Sequence, residues 1–483
     1  MEIPIDNGFY ESFSSPLVAQ SCINLYPQNP QTQGAQSQGA LFPTQGIDLF
    51  AELVGVCRGM YVFNGIVFSV NGTSLFQVNR NGSFVNKGTI EGFARVSMAD
   101  NGVTMSIVVP DGKAYFLNSS VLSEITDAVF VDFQSVDGGI TSVSSLDGRF
   151  VYTNKFEFFW TSIAEVNGGR TFDALDFSAA ELNPDDILTS IVVKNELYIL
   201  GTSTTEVFRN IGGVQVFQRV SNAALDKGLS SKYAVINFDN SFVFLGSAYG
   251  ESPSIWRGVG GSAQKISTSA IDNVISDYTD LELSDSFVFK YAEGGNFFAC
   301  FTISDKTFCY DAASSAIKGR PIWHERRSEN IQYRVNSMVD AYGDIYVGDD
   351  RSNKIGKLNK DTYTEYGDTV KRSFSTSYLT NQGTPIFVSY VELKNESGVG
   401  LFKENSEGVN PTINMKFSDD GGHTYIDSGD RPLGKLGEYG KRQIWNRQGR
   451  IATQRNWIFE IIAPVKVVCL NLWLEVKGGS NGR

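Results

Sequence analysis

Histidine is almost missing from this sequence: His324 and His423 are the only two in 483 residues. They stand 99 positions apart. One copy of the chain therefore cannot supply a multi-histidine metal site, and histidine acid–base chemistry has two candidates only. Cysteine is nearly as scarce. Cys22, Cys57, Cys300, Cys309 and Cys469 are odd in number and scattered, with no C-x-x-C pair, which argues against a disulfide scaffold or a dithiol motif and for reduced thiols. Cys300 sits in the apolar run Phe297-Phe298-Ala299-Cys300-Phe301, as a small core hydrophobe would. Charged residues are 19%, below the roughly 25% usual for soluble domains. No run of about 18 apolar residues occurs, so no membrane-spanning helix is expected. The start, Met1-Glu2-Ile3-Pro4-Ile5-Asp6, lacks a basic n-region and an apolar h-region, so no secretory signal is expected. The Asn-x-Ser/Thr matches at Asn71, Asn81, Asn118 and Asn395 are then chance matches.

Glycine and aromatic residues are abundant. There are 48 Gly, 34 Phe, 20 Tyr and 6 Trp, and hydrophobic residues make up 41%. That is enough apolar material for a large core and excludes global disorder. Much Gly and Phe with few charges favours strands and turns over long helices.

The strongest internal signal is a recurring hairpin. Its turns are Asn64-Gly65, Asn101-Gly102, Asp147-Gly148, Lys194-Asn195, Asp239-Asn240, Gly294-Gly295 and Tyr342-Gly343, at successive spacings of 37, 46, 47, 45, 55 and 48 residues. An apolar second strand follows each, such as Ile66-Val67-Phe68-Ser69-Val70, Leu197-Tyr198-Ile199-Leu200 or Phe242-Val243-Phe244-Leu245. Asn-Gly and Asp-Gly accept the positive φ of primed hairpin turns. A strand apolar on both faces needs covering on both, so neighbouring units must stack. A period near 45 residues has room for the four strands of a propeller blade. The fold class predicted is all-β: an irregular β-propeller of six or seven blades over 48–370, with unrelated hairpins in sandwiches as the alternative.

The ends differ. Residues 1–47 show little strand pattern and include Gln28, Gln31, Gln33, Gln36, Gln38 and Gln45. They read as an extended N-terminal arm lying on its own or a neighbouring subunit. Residues 371–483 read as a C-terminal antiparallel β-sandwich, with strands expected at 387–392, 412–417, 457–462 and 465–476. Charge is divided too. Residues 371–483 hold 15 Lys+Arg and 11 Asp+Glu, or +4, and the rest holds 26 and 42, or −16. An acidic body does not grip nucleic acid through its phosphates, but it suits a passage along which DNA slides.

One motif has a defined geometry. Ser418-Asp419-Asp420-Gly421-Gly422-His423-Thr424-Tyr425 fits the Asp-box pattern, with Ser418, Asp420, Gly422, Thr424 and Tyr425 as its structural members. Asp420 bonds backbone N–H groups of the turn, Gly422 supplies positive φ and Tyr425 anchors the next strand. Such boxes repeat in sialidase-like folds. A single copy outside the propeller region, without a set of catalytic arginines, reads as a structural turn. The segment 429–435 imitates a phosphate loop, but Leu436 stands where Ser or Thr should meet magnesium. Asp349-Asp350 and Asp185-Asp186 are carboxylate pairs whose ordinary reading is solvated loop. The basic set Lys435, Lys441, Arg442, Arg447, Arg450 and Arg455 lacks regularly interleaved aromatics and reads as a solvated or subunit-contact face. No catalytic, cofactor-binding or metal residue is assigned.

Several segments in order resemble the packaged-DNA stabilisation proteins of short-tailed bacteriophages, also called tail accessory, hub or nozzle proteins. They are Asn24-Leu25-Tyr26-Pro27 with Pro43 and Gly46; Arg95-Val96-Ser97-Met98-Ala99; Tyr310-Asp311-Ala312-Ala313-Ser314-Ser315 with Trp323; Tyr346-Val347-Gly348-Asp349 through Lys354-Ile355-Gly356-Lys357-Leu358; the Asp box; and Leu436-Gly437-Glu438-Tyr439 with Ile444-Trp445-Asn446-Arg447-Gln448-Gly449-Arg450. Gln448 departs from the pattern, which would have an apolar residue there, and the Gln-rich stretch is longer than expected. The resemblance implies a non-enzymatic virion protein assembled in the host bacterial cytoplasm as a homo-hexameric ring. Implied partners are the portal-bound adaptor, the tail needle or tip, and tailspikes or fibres. Packaged double-stranded DNA would pass through the channel without tight binding, be retained there and be ejected. No residue is assigned to the channel wall. The rival readings are a carbohydrate- or receptor-binding tail module, marked by exposed aromatics on the sandwich, and a propeller glycosidase, marked by carboxylates clustered at the propeller centre.

Overall fold

The computed structural model describes the chain apart from residues 33, 36, 181–182, 214, 382–383, 403–406 and 479–483. Gln33 and Gln36 of the Gln-rich stretch thus lie outside the described residues.

Seven four-stranded antiparallel blades form the body. Blade 1 runs from Cys57–Phe63 to Phe84–Thr89, blade 2 from Ser97–Asp100 to Val121–Glu124, and blade 3 from Ser142–Leu146 to Phe172–Ala179. Blade 4 runs from Ile187–Val193 to Phe217–Arg219, and blade 5 from Val235–Phe238 to Ser262–Lys265. Blade 6 comprises Phe287–Glu293, Asn296–Ile303, Lys306–Asp311 and Trp323–Ser328. Blade 7 comprises Val335–Ala341, Asp344–Asp349 and Lys354–Asn359, and takes its fourth strand, Gly46–Glu52, from the N-terminal segment. First strands of successive blades lie side by side, and blade 7 meets blade 1 to close the ring.

Every turn of the sequence repeat joins the first two strands of one blade. Six are two-residue turns with positive φ at both positions, among them Asp147 at 49° and Gly148 at 75°. This matches the twist of the paired strands. Asn101-Gly102 is the exception. Its loop has three residues, only Gly102 has positive φ, and the Asn101 Oδ1 accepts from the N–H groups of Val103 and Thr104 at 3.1 and 2.9 Å. Apolar side chains pack between blades, not within them. Phe130, Phe150, Tyr152 and Phe159 fill the space between blades 2 and 3, for example, and Phe242, Phe244 and Tyr198 that between blades 4 and 5.

The N-terminal segment lies on its own chain, where its short strands are built into the sheets. Cys22–Ile23 inserts between blade 6 and the C-terminal domain: Ile23 pairs with Glu325 in parallel and with Ser373 antiparallel. Blade 6 and the C-terminal strands Arg372–Ser375, Gln454–Ile461, Thr412–Ser418 and Ile426–Pro432 are thereby one sheet. Leu25–Gln28 and Ala40–Pro43 join the opposing sheet of the sandwich, Gln443–Ile451, Ile386–Asn395 and Cys469–Gly478. The Met1 amine donates to the Leu474 carbonyl at 2.8 Å. Asn24, 2% exposed, donates its amide to the carbonyls of Arg327 and Lys371 at 2.9 and 2.8 Å and accepts from the Arg327 N–H at 2.9 Å. One side chain thus ties the segment to the last blade and to the start of the sandwich. A polar segment that cannot build its own core finds its backbone partners in sheets built elsewhere. The boundary expected after residue 47 accordingly cuts through a strand.

One hydrophobic core is shared by all three parts. Ile3, Phe9 and Leu25 of the N-terminal segment, Phe301 and Trp323 of blade 6, and Trp445, Trp457 and Phe459 of the sandwich belong to it. The sandwich differs in detail from expectation. Its last strand begins at Cys469, four residues later than expected, and Arg372–Ser375, Ile426–Pro432 and Gln443–Ile451 are additional strands.

Candidate functional site: the propeller axis and the Asp-box turn

The first strands of the blades carry small hydroxyl residues toward the axis, and these link blade to blade. Ser97 Oγ accepts from the Val143 N–H at 3.1 Å, Ser142 Oγ from the Ser190 N–H at 3.1 Å, and Ser337 Oγ from the Met60 N–H at 2.9 Å. A cavity of about 290 Å³ remains on the axis, lined by these serines with Thr141, Thr189, Tyr61, Arg95, Lys232 and Tyr233. Next to it a mouth of about 530 Å³ carries Asp111, Asp137, Asp186 and Asp285 with Lys155 and Lys232. Lys155 lies 3.6 and 3.5 Å from Asp137 and Asp186, and Lys232 3.2 Å from Asp111.

In the Asp-box turn, Asp420 accepts from Ser418 Oγ at 2.7 Å, the Thr424 N–H at 2.9 Å and Thr424 Oγ1 at 2.5 Å. The Gly422 N–H, at φ 92°, donates to Ser418 Oγ at 2.9 Å. These bonds to the ionised form hold the Asp420 carboxyl well below the usual carboxylate range. Tyr425, expected to anchor the next strand, is instead 38% exposed. Its hydroxyl stands with that of Tyr378 over Gly422, because the strand it precedes, Ile426–Pro432, lies at the sheet edge with few buried positions. The turn also meets the N-terminal segment: a Cβ on Gly421 would stand 2.9 Å from Pro16 Cγ. His423 is exposed in the turn.

The carboxylate pairs are split between separate structural contacts. Asp349, 1% exposed, binds Arg334 Nε and Nη2 at 3.0 and 2.6 Å and Ser352 Oγ at 2.6 Å. Asp350 lies 3.5 Å from Arg351, and burial pushes its carboxyl up to about 6. Asp185 accepts from the N–H groups of Ser203 and Thr204 at 2.7 and 2.9 Å, while Asp186 faces Lys155. The basic set also separates. Arg455, 3% exposed, grips Asp419 with two bonds of 2.6 Å and stacks 3.9 Å over Phe417, locking the Asp box to the sheet. Arg442 binds Glu392 at 2.7 and 2.6 Å, and Lys435, Lys441, Arg447 and Arg450 are exposed. The phosphate-loop imitation begins inside the strand Ile426–Pro432, where its backbone N–H groups cannot converge on a phosphate. Gln448 is 8% exposed.

His324 is fully buried against Phe298, with ring centroids 5.1 Å apart. Cys300 and Cys309 face each other across the strands of blade 6, and all five cysteines are free and buried. Around them Arg326 donates to Tyr291 Oη at 3.2 Å and to the Gln45 carbonyl at 2.9 Å. Burial raises the nearby Glu293 carboxyl to about 7. Composition and spacing gave no warning of this buried polar cluster, nor of the axial places of Arg95 and Lys232. A lone arginine ahead of Val96-Ser97-Met98 would have been the only signal for Arg95. Among the described residues no group of three or more His, Cys, Asp or Glu side chains is placed to hold a metal ion, and no helix is long and apolar enough to cross a membrane.

The family described as "Bacteriophage P22 Gp10, beta-propeller" matches residues 1–363, and "Bacteriophage P22 Gp10, beta-sandwich" matches residues 371–477. The tail hub protein gp10 of Salmonella phage P22 is 22% identical over 459 residues, covering 91% of this chain and 92% of its own. Among solved structures, the N-terminal domain of Nup159 shares 10% identity, covers 71% of this chain and 99% of its own, and has a TM-score of 0.40. BamB from Moraxella catarrhalis shares 8%, covers 71% and 97%, and has a TM-score of 0.39. These two likenesses are too distant to bear on function. The first family match takes in the strand that closes blade 7 and the second takes in both sheets of the sandwich, so the chain belongs to the bacteriophage P22 Gp10 family of tail hub proteins.

Proposed function

We propose that this chain is the structural subunit of a phage tail hub. Copies form a closed six-fold ring beneath the portal-bound adaptor and extend its DNA channel. The ring helps retain the packaged genome, carries the tail needle or tip and the spikes, and lets DNA leave. It works without catalysis or cofactor, and it assembles in the host cytoplasm before residing in the virion tail. The observation that carries this reading is the match of both parts of the chain to one tail hub family.

Physical features support it. Side chains from six of the seven blades converge on the axis around a space of only about 290 Å³, which favours a DNA path between protomers over one along a propeller axis. The unbroken sheet from blade 6 through Cys22–Ile23 into the sandwich suits a part that carries load. Hydrogen bonds across it must shear together before the two domains separate. The charge of −16 outside residues 371–483 disfavours adhesion to phosphates across a Debye length of about 8 Å. The Asp-box turn serves as a structural brace where Ser15-Pro16 rests on it. The purified assembly should bind random duplex DNA more weakly than about micromolar at physiological salt. Submicromolar binding with a steep salt slope would turn the assignment to a gripping protein.

One observation favours a second reading, a glycan-binding tail module. Tyr439 and Trp473, 72% and 45% exposed, flank a groove of about 430 Å³ on the sandwich beside the Glu392–Arg442 pair. Binding of host surface glycan that disappears in Trp473→Ala would establish it.

A further inference from the structure

Among the buried arginines Arg58 is saturated by carbonyls, Arg326 and Arg372 each keep an Nε without a partner, and Arg455 binds Asp419. Arg58, 5% exposed, donates to the carbonyls of Ala94, Gly72, Ile90 and Glu91 at 2.7, 2.9, 3.2 and 3.3 Å. Arg95 is half-buried and is not saturated in this way. It lines the axial cavity, and its Nη2 donates to the Asn336 carbonyl. Its guanidinium lies 4.2 Å over the Phe287 ring and 5.9 Å from that of Tyr233. Tyr233 Oη in turn donates to the Arg95 carbonyl at 3.2 Å, so the side chain is held from three sides. Yet Nε and Nη1 have no protein partner among the described residues, and no carboxylate there makes an ion pair with it. Asp350, the carboxylate that bears on it from blade 7, is bound by Arg351. Partial burial lowers the guanidinium to about 10, as expected of a cation with no carboxylate paired to it.

The rest of the cavity mixes apolar side chains, among them Met60, Val96, Met98 and Ile236, with a lysine and hydroxyls, several of which also bond neighbouring blades. Lys232 is the second cation, and Ser97, Ser142, Ser190, Ser337, Thr141 and Thr189 supply hydroxyls. No Asp or Glu lines it. The adjoining mouth holds four carboxylates against two lysines, with Lys155 shared by Asp137 and Asp186 and Lys232 beside Asp111, so an anion is held by the cavity and not drawn in by its entrance. A fork of unused N–H groups, fixed by stacking, beside hydroxyls and a second cation is complementary to a tetrahedral oxyanion. At about 290 Å³ the space holds such an ion with its waters, but not a threaded polypeptide segment.

We propose that the propeller axis is an anion site, and that a phosphate- or sulfate-class oxyanion binds Arg95 there as a plug that completes the ring. The proposal is independent of the tail hub reading.

The test is thermal unfolding of the full-length protein titrated with inorganic phosphate against chloride at constant ionic strength. Phosphate and sulfate stabilise proteins generally without saturating. The expected signature is therefore a saturable rise in melting temperature at low millimolar phosphate in the wild type that is lost in Arg95→Met. The same variant in phosphate-free buffer loses the Asn336 bond and the stacking on Phe287 and should melt somewhat lower, so the phosphate-dependent increment and not the baseline is read. A merely structural arginine would lower the melting temperature equally with and without phosphate and leave the increment intact. Lys232→Gln, whose partner Asp111 is 61% exposed, should fold normally and weaken phosphate several-fold. The 31P line of phosphate should broaden with wild-type protein and sharpen again on adding sulfate, which keeps the test alive if Arg95→Met does not fold. An equal phosphate response in wild type and both variants, or no 31P broadening with wild type, overturns the proposal. Displacement of phosphate by a short acidic peptide, and not by sulfate, would assign the site to a partner's side chain and overturn it as well.

Discussion

The propeller and the segment that closes it obey different rules. A blade is local: two-residue turns join neighbouring strands, and the second strand finds both partners within its own unit. The N-terminal segment is the reverse. Asn24 bonds a residue 303 positions away, and the Met1 amine bonds one 473 positions away. Local hairpins pay little loop-closure entropy, whereas the closing contacts come only after the rest of the chain exists. The repeat therefore sets the shape, and the distant polar segment decides whether that shape is closed and joined to the sandwich.

The sharpest way to break this comparison is to delete residues 1–47. The deletion removes Ile23 from between blade 6 and the sandwich and takes Gly46 and Ile47 from the last strand of blade 7. The expected outcome is loss of cooperative unfolding of the whole chain, seen in calorimetry. A separately folded, undisturbed propeller would show that the segment is an arm after all. Next in size is Asn24→Ala. Its buried amide serves three backbone groups at a φ of 54° that asparagine tolerates better than alanine. A loss of about 2–4 kcal/mol is expected in denaturant titrations, from stranding those groups. A change under about 1 kcal/mol would mean that water replaces the amide.

Within the repeat the effect should be smaller and local. Gly148 has φ 75°, and Gly148→Val should cost about 1–3 kcal/mol through backbone strain. Hydrogen exchange should show the loosening confined to blade 3 and its neighbours. Asp420→Ala should loosen the sandwich turn and leave blade exchange unaltered. The ionised Asp420 contributes stability above the ordinary carboxylate range and loses it as pH falls below that range, because its folded-state proton affinity is depressed. The smallest effect concerns Glu293, at the junction of blades 6 and 7 with Gln45. Its carboxyl is raised from 4.5 to about 7 by burial. Stability from this group is full below 4.5 and is lost as pH rises through 7. Glu293→Gln should match wild type near pH 4 and exceed it in melting temperature at pH 8. A lower melting temperature at pH 8 would show that the charged form is needed by Arg326.

The regions also differ in how far the residues announce them. The turn dipeptides and their spacing reveal a propeller of six or seven blades because positive φ selects Asn, Asp and Gly, and because buried second strands must be apolar. Gln443–Ile451 escapes notice because its buried positions, Gln443, Trp445, Gln448 and Ile451, break the period of two and the exposed ones are Asn446, Arg447, Gly449 and Arg450. Cys22–Ile23 is two residues long and leaves no periodicity to read. The segment 465–468 is apolar enough to imitate a strand, yet it is buried loop. The Asp-box turn was legible because its bonds are local. The axial place of Arg95 was not, since Phe287, Tyr233 and Asn336 reach it from far along the chain.

The central claim is that copies of this chain surround the DNA path while each propeller stays closed about its own axis. A reconstruction of the virion tail by electron cryomicroscopy tests it most directly. The account predicts a closed ring of these chains with DNA density running between protomers and none along any propeller axis. DNA density along a propeller axis, or a tail in which this chain forms no ring, would contradict it.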